Sequence, residues 1–137
     1  MTVVDTSALM AVLLKEPPAA ACRLAMGDAD ELAMSAATLA EALIVARLRG
    51  LADSMSLLLE GISVEIHPVD TDVARRVAAV YAIWGKGVHP AGLNIFDCFA
   101  YALAREHEAK LLFVGNDFAR TDITSALPPA NWGATSG

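Results

Sequence analysis

Two hydrophobic periods alternate along this chain. Residues 2–4 are a short β-branched run that stops at Asp5-Thr6-Ser7, three residues that cap helices well, so a buried strand running into a helix is predicted. Residues 8–16 read as helix. Pro17-Pro18 interrupts it and opens a second helix, which Gly27-Asp28 ends. Residues 31–35 are a short apolar strand. Residues 38–49 form an amphipathic helix with Leu39, Leu43 and Ala46 on one face, stopped by Gly50, and residues 51–60 form another, ended by Gly61. Residues 63–69 alternate through Val64, Ile66 and Val69, which predicts a strand. Asp70 or Thr71 caps a helix over 73–84. A glycine-proline loop covers 85–92, and Asn94 caps an apolar helix over 95–108. Residues 111–114 form a strand, residues 118–126 a short helix, and Pro128-Pro129 ends regular structure.

Short strands separated by helices imply a parallel sheet of four or five strands with helices on both faces. In such α/β sheets the working site lies beyond the carboxyl ends of the strands. Asp5 directly follows one strand and Asn116-Asp117 follows another. At 137 residues there is room for one domain, taken as residues 1–132, with 133–137 fraying.

Composition narrows the class. The hydrophobic fraction of 55% supplies enough apolar surface to offset the entropy of ordering, and 27 alanines favour helix. Apolar runs such as 8–14 are all far short of the about 20 residues a bilayer span needs, so no membrane association is expected. A net charge of −6 argues against broad, non-specific grip on nucleic acid, while leaving room for nucleic-acid chemistry at a small metal site. Cys22 and Cys98 form no CxxC pair and no signal sequence precedes Thr2, so free thiols and a cytoplasmic location are expected.

Four carboxylates sit in apolar surroundings at the starts of elements: Asp5 in VVDTSAL, Glu41 in SAATLAEAL, Asp97 in LNIFDCFAYALA and Asp117 in LLFVGNDF. Each has a structural reading. Asp5 can cap the helix after it, Thr38-x-x-Glu41 and Asn94-x-x-Asp97 have the spacing of a capping box, and Asp117 can sit in a turn. Converging carboxylates repel, however, and such a set is costly unless a divalent cation neutralises it; an all-oxygen set suits Mg²⁺ or Mn²⁺.

These four segments, in this order across Val3 to Ile123, resemble the PIN-domain ribonucleases of the VapC toxin type. The resemblance implies a parallel α/β fold and an acidic pocket holding Mg²⁺, with Mn²⁺ as a substitute. It further implies endonucleolytic RNA cleavage, homodimerisation and inhibition by a cognate VapB-type antitoxin. Asp5, Glu41 and Asp97 carry over as the core acids. Asn116 and Asp117 are both candidates for the fourth, with Asp117 favoured because a carboxylate binds a cation more strongly than an amide. Thr6 or Ser7 can orient Asp5 or a water at the site, or serve only as helix caps. By charge, the ion activates a water for in-line attack, leaving a 5′-phosphate and a 3′-hydroxyl.

The remaining candidates are fewer. His89 is either a solvated loop residue or, with Lys86, a contact for RNA phosphate; Arg47, Arg49 and Arg120 are further RNA-contact candidates. His67 and His107 read as structural, no Cys or His spacing suits zinc, and Arg75 and Arg76 can pair with Asp70 or Asp72. Leu13, Leu14, Leu57, Leu58 and Leu59 read as core rather than interface, with a dimer surface as the alternative for some of them. A haloacid-dehalogenase phosphatase needs an acid where Ser7 stands, and a receiver domain needs paired acids after the first strand. A catalytically silent PIN-like module, whose acidic pocket holds a basic partner tail, is the alternative function.

Overall fold

The computed structural model describes residues 1–128. The expected fraying of 133–137, the role of Pro129 and a domain limit at 132 lie outside the described residues. Four strands, β1 (Thr2–Val4), β2 (Leu32–Ser35), β3 (Glu65–His67) and β4 (Lys110–Leu112), form one sheet in the order β3-β2-β1-β4. Every pairing is parallel: Val3 stands opposite Ala33 on one side and Leu111 on the other.

Side chains alternate across the strands, so each strand feeds two cores. Val3, Ala33 and Leu111 pack against α6 (Ile95–Glu106) and α5 (Thr71–Trp84) through Cys98, Ala100, Leu103 and Val77. Val4, Met34 and Leu112 face the opposite layer, made by α1 (Thr6–Leu13), α2 (Ala19–Asp28), α3 (Ala36–Leu48) and α4 (Ala52–Ile62). Met34, Leu111 and Leu112 are fully buried, each contributing about 1.5–3 kcal/mol of transfer free energy. The abundant alanine has a place in this packing: Ala8, Ala42, Ala46, Ala100 and Ala104 are buried helix residues.

Element limits differ from the sequence pattern where a side chain competes for a helix end. α1 starts at Thr6 because Asp5 is its cap, and it stops at Leu13 because the chain turns through Lys15 at φ 54°. α3 starts at Ala36, since the Ser35 hydroxyl accepts from the Ala37 amide and removes the capping role from Thr38. β3 is three residues long, and it is a sheet edge. Residues 118–126 are not a helix. A 3₁₀ turn spans Phe118–Arg120, and the chain then runs parallel to β4: the Leu111 amide donates to Thr124 O at 2.9 Å and the Ala126 amide to Leu111 O at 2.9 Å. The open edge of β4 has unpaired backbone groups, and the β-branched Ile123-Thr124 stretch answers them better than a one-turn helix does. Of the five leucines read as core, Leu13, Leu58 and Leu59 are partly buried, whereas Leu14 and Leu57 are exposed, Leu57 at 69%.

The chain leaves β1 towards β2 and β3, and later returns to add β4 on β1's other side. The strand order therefore reverses at the β1/β4 boundary, the place where an open parallel sheet leaves a crevice at its carboxyl end. Among the described residues no helix is long and apolar enough to cross a membrane.

Candidate functional site

Asp5 leaves β1 at that crevice and is 5% exposed. As the α1 cap it accepts at Oδ2 from the Ser7 amide (3.0 Å) and from the Ser7 hydroxyl (2.6 Å). Its Oδ1 is buried and has no hydrogen-bond partner. Burial pushes the Asp5 carboxyl above its ordinary range; the bonds from Ser7 oppose this, and the charge of Asp117 adds to it. Ser7 also accepts from the Val114 amide at 3.0 Å, so one hydroxyl ties the end of β1 to the segment leaving β4.

Glu41 reaches the crevice from α3, half-buried. It is not part of a capping box: its Oε1 accepts from the Thr6 hydroxyl at 2.7 Å. Burial raises its pKa, the Thr6 bond lowers it and the charge of Asp5 raises it. Asp97 sits in the first turn of α6, and here the capping box is real. The Asp97 amide donates to Asn94 Oδ1 (2.8 Å), and the Asn94 amide donates to Asp97 Oδ2 (3.0 Å). Asp97 is 9% exposed, and its pKa is pushed up to about 7 by burial, with Asp5, Asp117 and Glu41 adding to the rise. Asp117 is exposed, in the turn after β4, and its charge reaches both Asp5 and Asp97. Asn116 beside it is exposed and makes no side-chain hydrogen bond among the described residues.

Charge links the four acids: Asp117 acts on Asp5, Asp5 acts on Glu41, and all three act on Asp97. Among the described residues, no group of three or more His, Cys, Asp or Glu side chains is placed closely enough to hold a metal ion as the chain stands.

The other candidates are placed less centrally. Lys86 is exposed, with its backbone paired to Leu93 and its carbonyl accepting from Tyr81. His89 accepts from the Ala91 amide at Nδ1 (2.9 Å) and meets Trp84 edge to face, so its ring is held by its own loop. Arg120 donates to Pro90 O at 3.1 Å, joining the turn after Asp117 to the 85–92 loop. Arg76 pairs with Glu106 at 3.0 Å, and not with Asp70, whose carboxylate caps α5 through the Val73 amide. A separate cavity of about 220 Å³ opens beside the end of β3. It holds Arg76 with Glu106, and His67 with His107, whose rings meet at 5.1 Å; none of the four acids lines it.

One chain of bonds had no signature in the sequence. Trp84 Nε1 donates to the Tyr101 hydroxyl (3.1 Å), which donates to Asp122, and burial together with Asp122 pushes the Tyr101 phenol up to about 12. It fastens the segment beyond Asp117 to α6, the helix that carries Asp97. The three partners are distant in sequence, so no local pattern could have found them.

Residues 2–123 match the PIN domain family. The chain is 41% identical over 129 residues to ribonuclease VapC28 of Mycobacterium tuberculosis, covering 91% of this chain and 97% of the relative. It is 42% identical over 130 residues to ribonuclease VapC30 of the same species (92% and 99%) and 41% identical over 127 residues to a ribonuclease VapC of Mycolicibacterium smegmatis (90% and 98%). Its fold is shared with the crystal structure of M. tuberculosis VapC20, described as a sarcin-ricin loop cleaving toxin, at TM-score 0.74 and 15% identity over 93% of this chain and 100% of that one. A toxin-antitoxin complex from Klebsiella pneumoniae also matches, at TM-score 0.68 and 19% identity (89% and 93%). With the family match running from β1 past the turn that bears Asp117, and the relatives matched over nearly their whole length, the chain belongs to the PIN-domain family as one of its VapC ribonucleases.

Proposed function

We propose that this protein is the toxin of a toxin–antitoxin pair and acts as a divalent-metal-dependent endoribonuclease at the Asp5–Glu41–Asp97–Asp117 site. The observation that carries the reading is Asp5 Oδ1, a buried carboxylate oxygen with no protein partner, in a group of acids whose charges help to raise the pKa of Asp5, Glu41 and Asp97. A buried acceptor left unpaired is expensive unless something outside the chain answers it. The donor set is all oxygen and all acidic, which suits Mg²⁺ or Mn²⁺.

Asp5 and Asp97 would hold the ion, with Glu41 and Asp117 as further oxygen donors and Asn116 as a neutral alternative. A bound ion supplies Lewis-acid activation of water and neutralises charge on the scissile phosphate. The residues of the chain do the rest: Ser7 fixes Asp5, Thr6 fixes Glu41, and the capping box fixes Asp97. Lys86 and His89 in the 85–92 loop, and Arg120 bonded to that loop at Pro90, are the proposed contacts for RNA. A basic segment of an antitoxin has the complementary charge for the pocket. A homodimer is the proposed assembly.

The test is cleavage of a structured RNA by purified protein in Mg²⁺ and in chelator, with the ends of the products sequenced. The reading expects cuts bearing 5′-phosphates in Mg²⁺ only, absent from Asp5→Asn. Protein that binds RNA or an antitoxin but never cuts, with either ion, supports the silent module instead.

A further inference from the structure

Thr6 is the first residue of α1, yet its hydroxyl takes no part in starting that helix, because Asp5 supplies the cap. The residue is 6% exposed. Its one hydroxyl proton has two acceptors in reach, Glu41 Oε1 at 2.7 Å and Thr38 O at 3.4 Å. The shorter bond runs to a carboxylate and is the stronger one. It links residues 35 positions apart, on two helices whose starts are set independently by Asp5 and Ser35.

Packing alone does not determine where the Glu41 carboxylate lies. α1 and α3 meet through Ala8, Leu9, Ala42 and Ala46, which settles the helix axes. The glutamate still has three rotatable bonds. Thr6, in contrast, is β-branched and has only two favoured first-torsion positions inside a helix, so its hydroxyl has far fewer places to go than the glutamate carboxylate. Among the described residues it is also the hydrogen-bond partner that Glu41 has. The oxygen Oε2 is left over.

We propose that Thr6 is a positioning residue: its hydroxyl holds the Glu41 carboxylate beside Asp5 and so sets the affinity of the site for its divalent cation. The inference rests on the metal-dependent reading above and extends it to a residue outside the acidic set. It makes Thr6 and Ser7 a matched pair, each hydroxyl anchoring one acid.

The experiment measures Mn²⁺ binding to RNA-free protein by electron paramagnetic resonance of the free ion. Thr6→Val keeps the shape of the side chain and removes the hydroxyl. It should weaken Mn²⁺ binding by about 10–100-fold, the usual effect of losing a residue that orients a ligand. Thr6→Ser should bind close to wild type. In the Glu41→Gln background, Thr6→Val should add no further loss, because it acts through Glu41. Thermal melts confirm folding, and Thr6→Ala carries the same expectation should Thr6→Val not fold. Wild-type affinity in Thr6→Val, equal losses in Thr6→Ser and Thr6→Val, or a full additional loss on top of Glu41→Gln each overturn the inference while leaving the metal reading standing. A wild-type protein that binds no Mn²⁺ overturns both.

Discussion

Asp97→Asn separates the cost of the acidic cluster from its use. The Asp97 carboxyl is pushed from 3.8 to about 7, chiefly by burial and then by its acidic neighbours. Folded protein therefore binds this proton more tightly than unfolded protein. The stability it brings is whole below about pH 4 and fades as pH rises through about 7. Each tenfold in proton affinity is about 1.4 kcal/mol, so the full displacement amounts to about 4 kcal/mol. The mouth of the crevice is open to water, and screening there reduces the figure to about 2 kcal/mol. Asparagine keeps an oxygen for the Asn94 amide and carries no charge. In chelator at pH 8, Asp97→Asn should be more stable than wild type by about 2 kcal/mol, or about 6–10 °C in Tm for a chain of this size. At pH 4.5 the gain should shrink towards zero. Melts across pH 4.5–8 in chelator read both numbers. A variant that melts below wild type at pH 8, by a margin that does not change with pH, refutes the reasoning and makes Asp97 a cap alone.

The same cluster makes wild-type stability depend on metal: at pH 8, Mn²⁺ at 100 times its Kd should add about 2.7 kcal/mol, read as a rise in Tm that Asp97→Asn lacks. Ser7→Ala removes the hydroxyl shared by Asp5 and the Val114 amide and should cost about 1–3 kcal/mol in urea unfolding; a cost near zero would mean that water replaces it freely. Gly85→Ala would place a methyl 2.4 Å from the Tyr81 carbonyl oxygen, so a loss of about 1–3 kcal/mol is expected by the same assay, and unchanged stability would show that the loop yields.

The sheet, the order of helices and the crevice were legible because buried parallel strands are short apolar runs and helices between them have caps. Asn94 and Asp97 made their capping box as the spacing implied. The failures have one physical origin, competition that only the folded chain reveals. Ser35 took the cap that Thr38 seemed to own, because β2 ends at Ser35 and presents it to the Ala37 amide. Residues 124–126 followed the exposed edge of β4, and a sequence window does not contain its partner strand. The four acids stood out in the sequence by their apolar surroundings, but the side chains bonded to them did not: nothing local links Thr6 to Glu41 or Ser7 to Val114.

Under the proposed metal-dependent reading, those anchors let one acid be both structural and functional. Asp5 spends Oδ2 on Ser7 and keeps Oδ1 free; Asp97 spends Oδ2 on Asn94; Glu41 spends Oε1 on Thr6. Each side chain is held through one oxygen, and among the described residues the other makes no hydrogen bond. The two roles should therefore come apart by substitution. In Asp5→Asn one oxygen remains to accept from the Ser7 amide, asparagine being as good a cap as aspartate, and the buried charge disappears. In Asp5→Ala the cap goes too, at about 1 kcal/mol. Both variants should fail to cleave RNA. In chelator at pH 8 Asp5→Asn should unfold at a urea concentration no lower than wild type, and Asp5→Ala at a lower one than Asp5→Asn. Equal midpoints for the two would mean that α1 does not use the Asp5 side chain, and cleavage by Asp5→Asn at wild-type rate would remove Asp5 from the site.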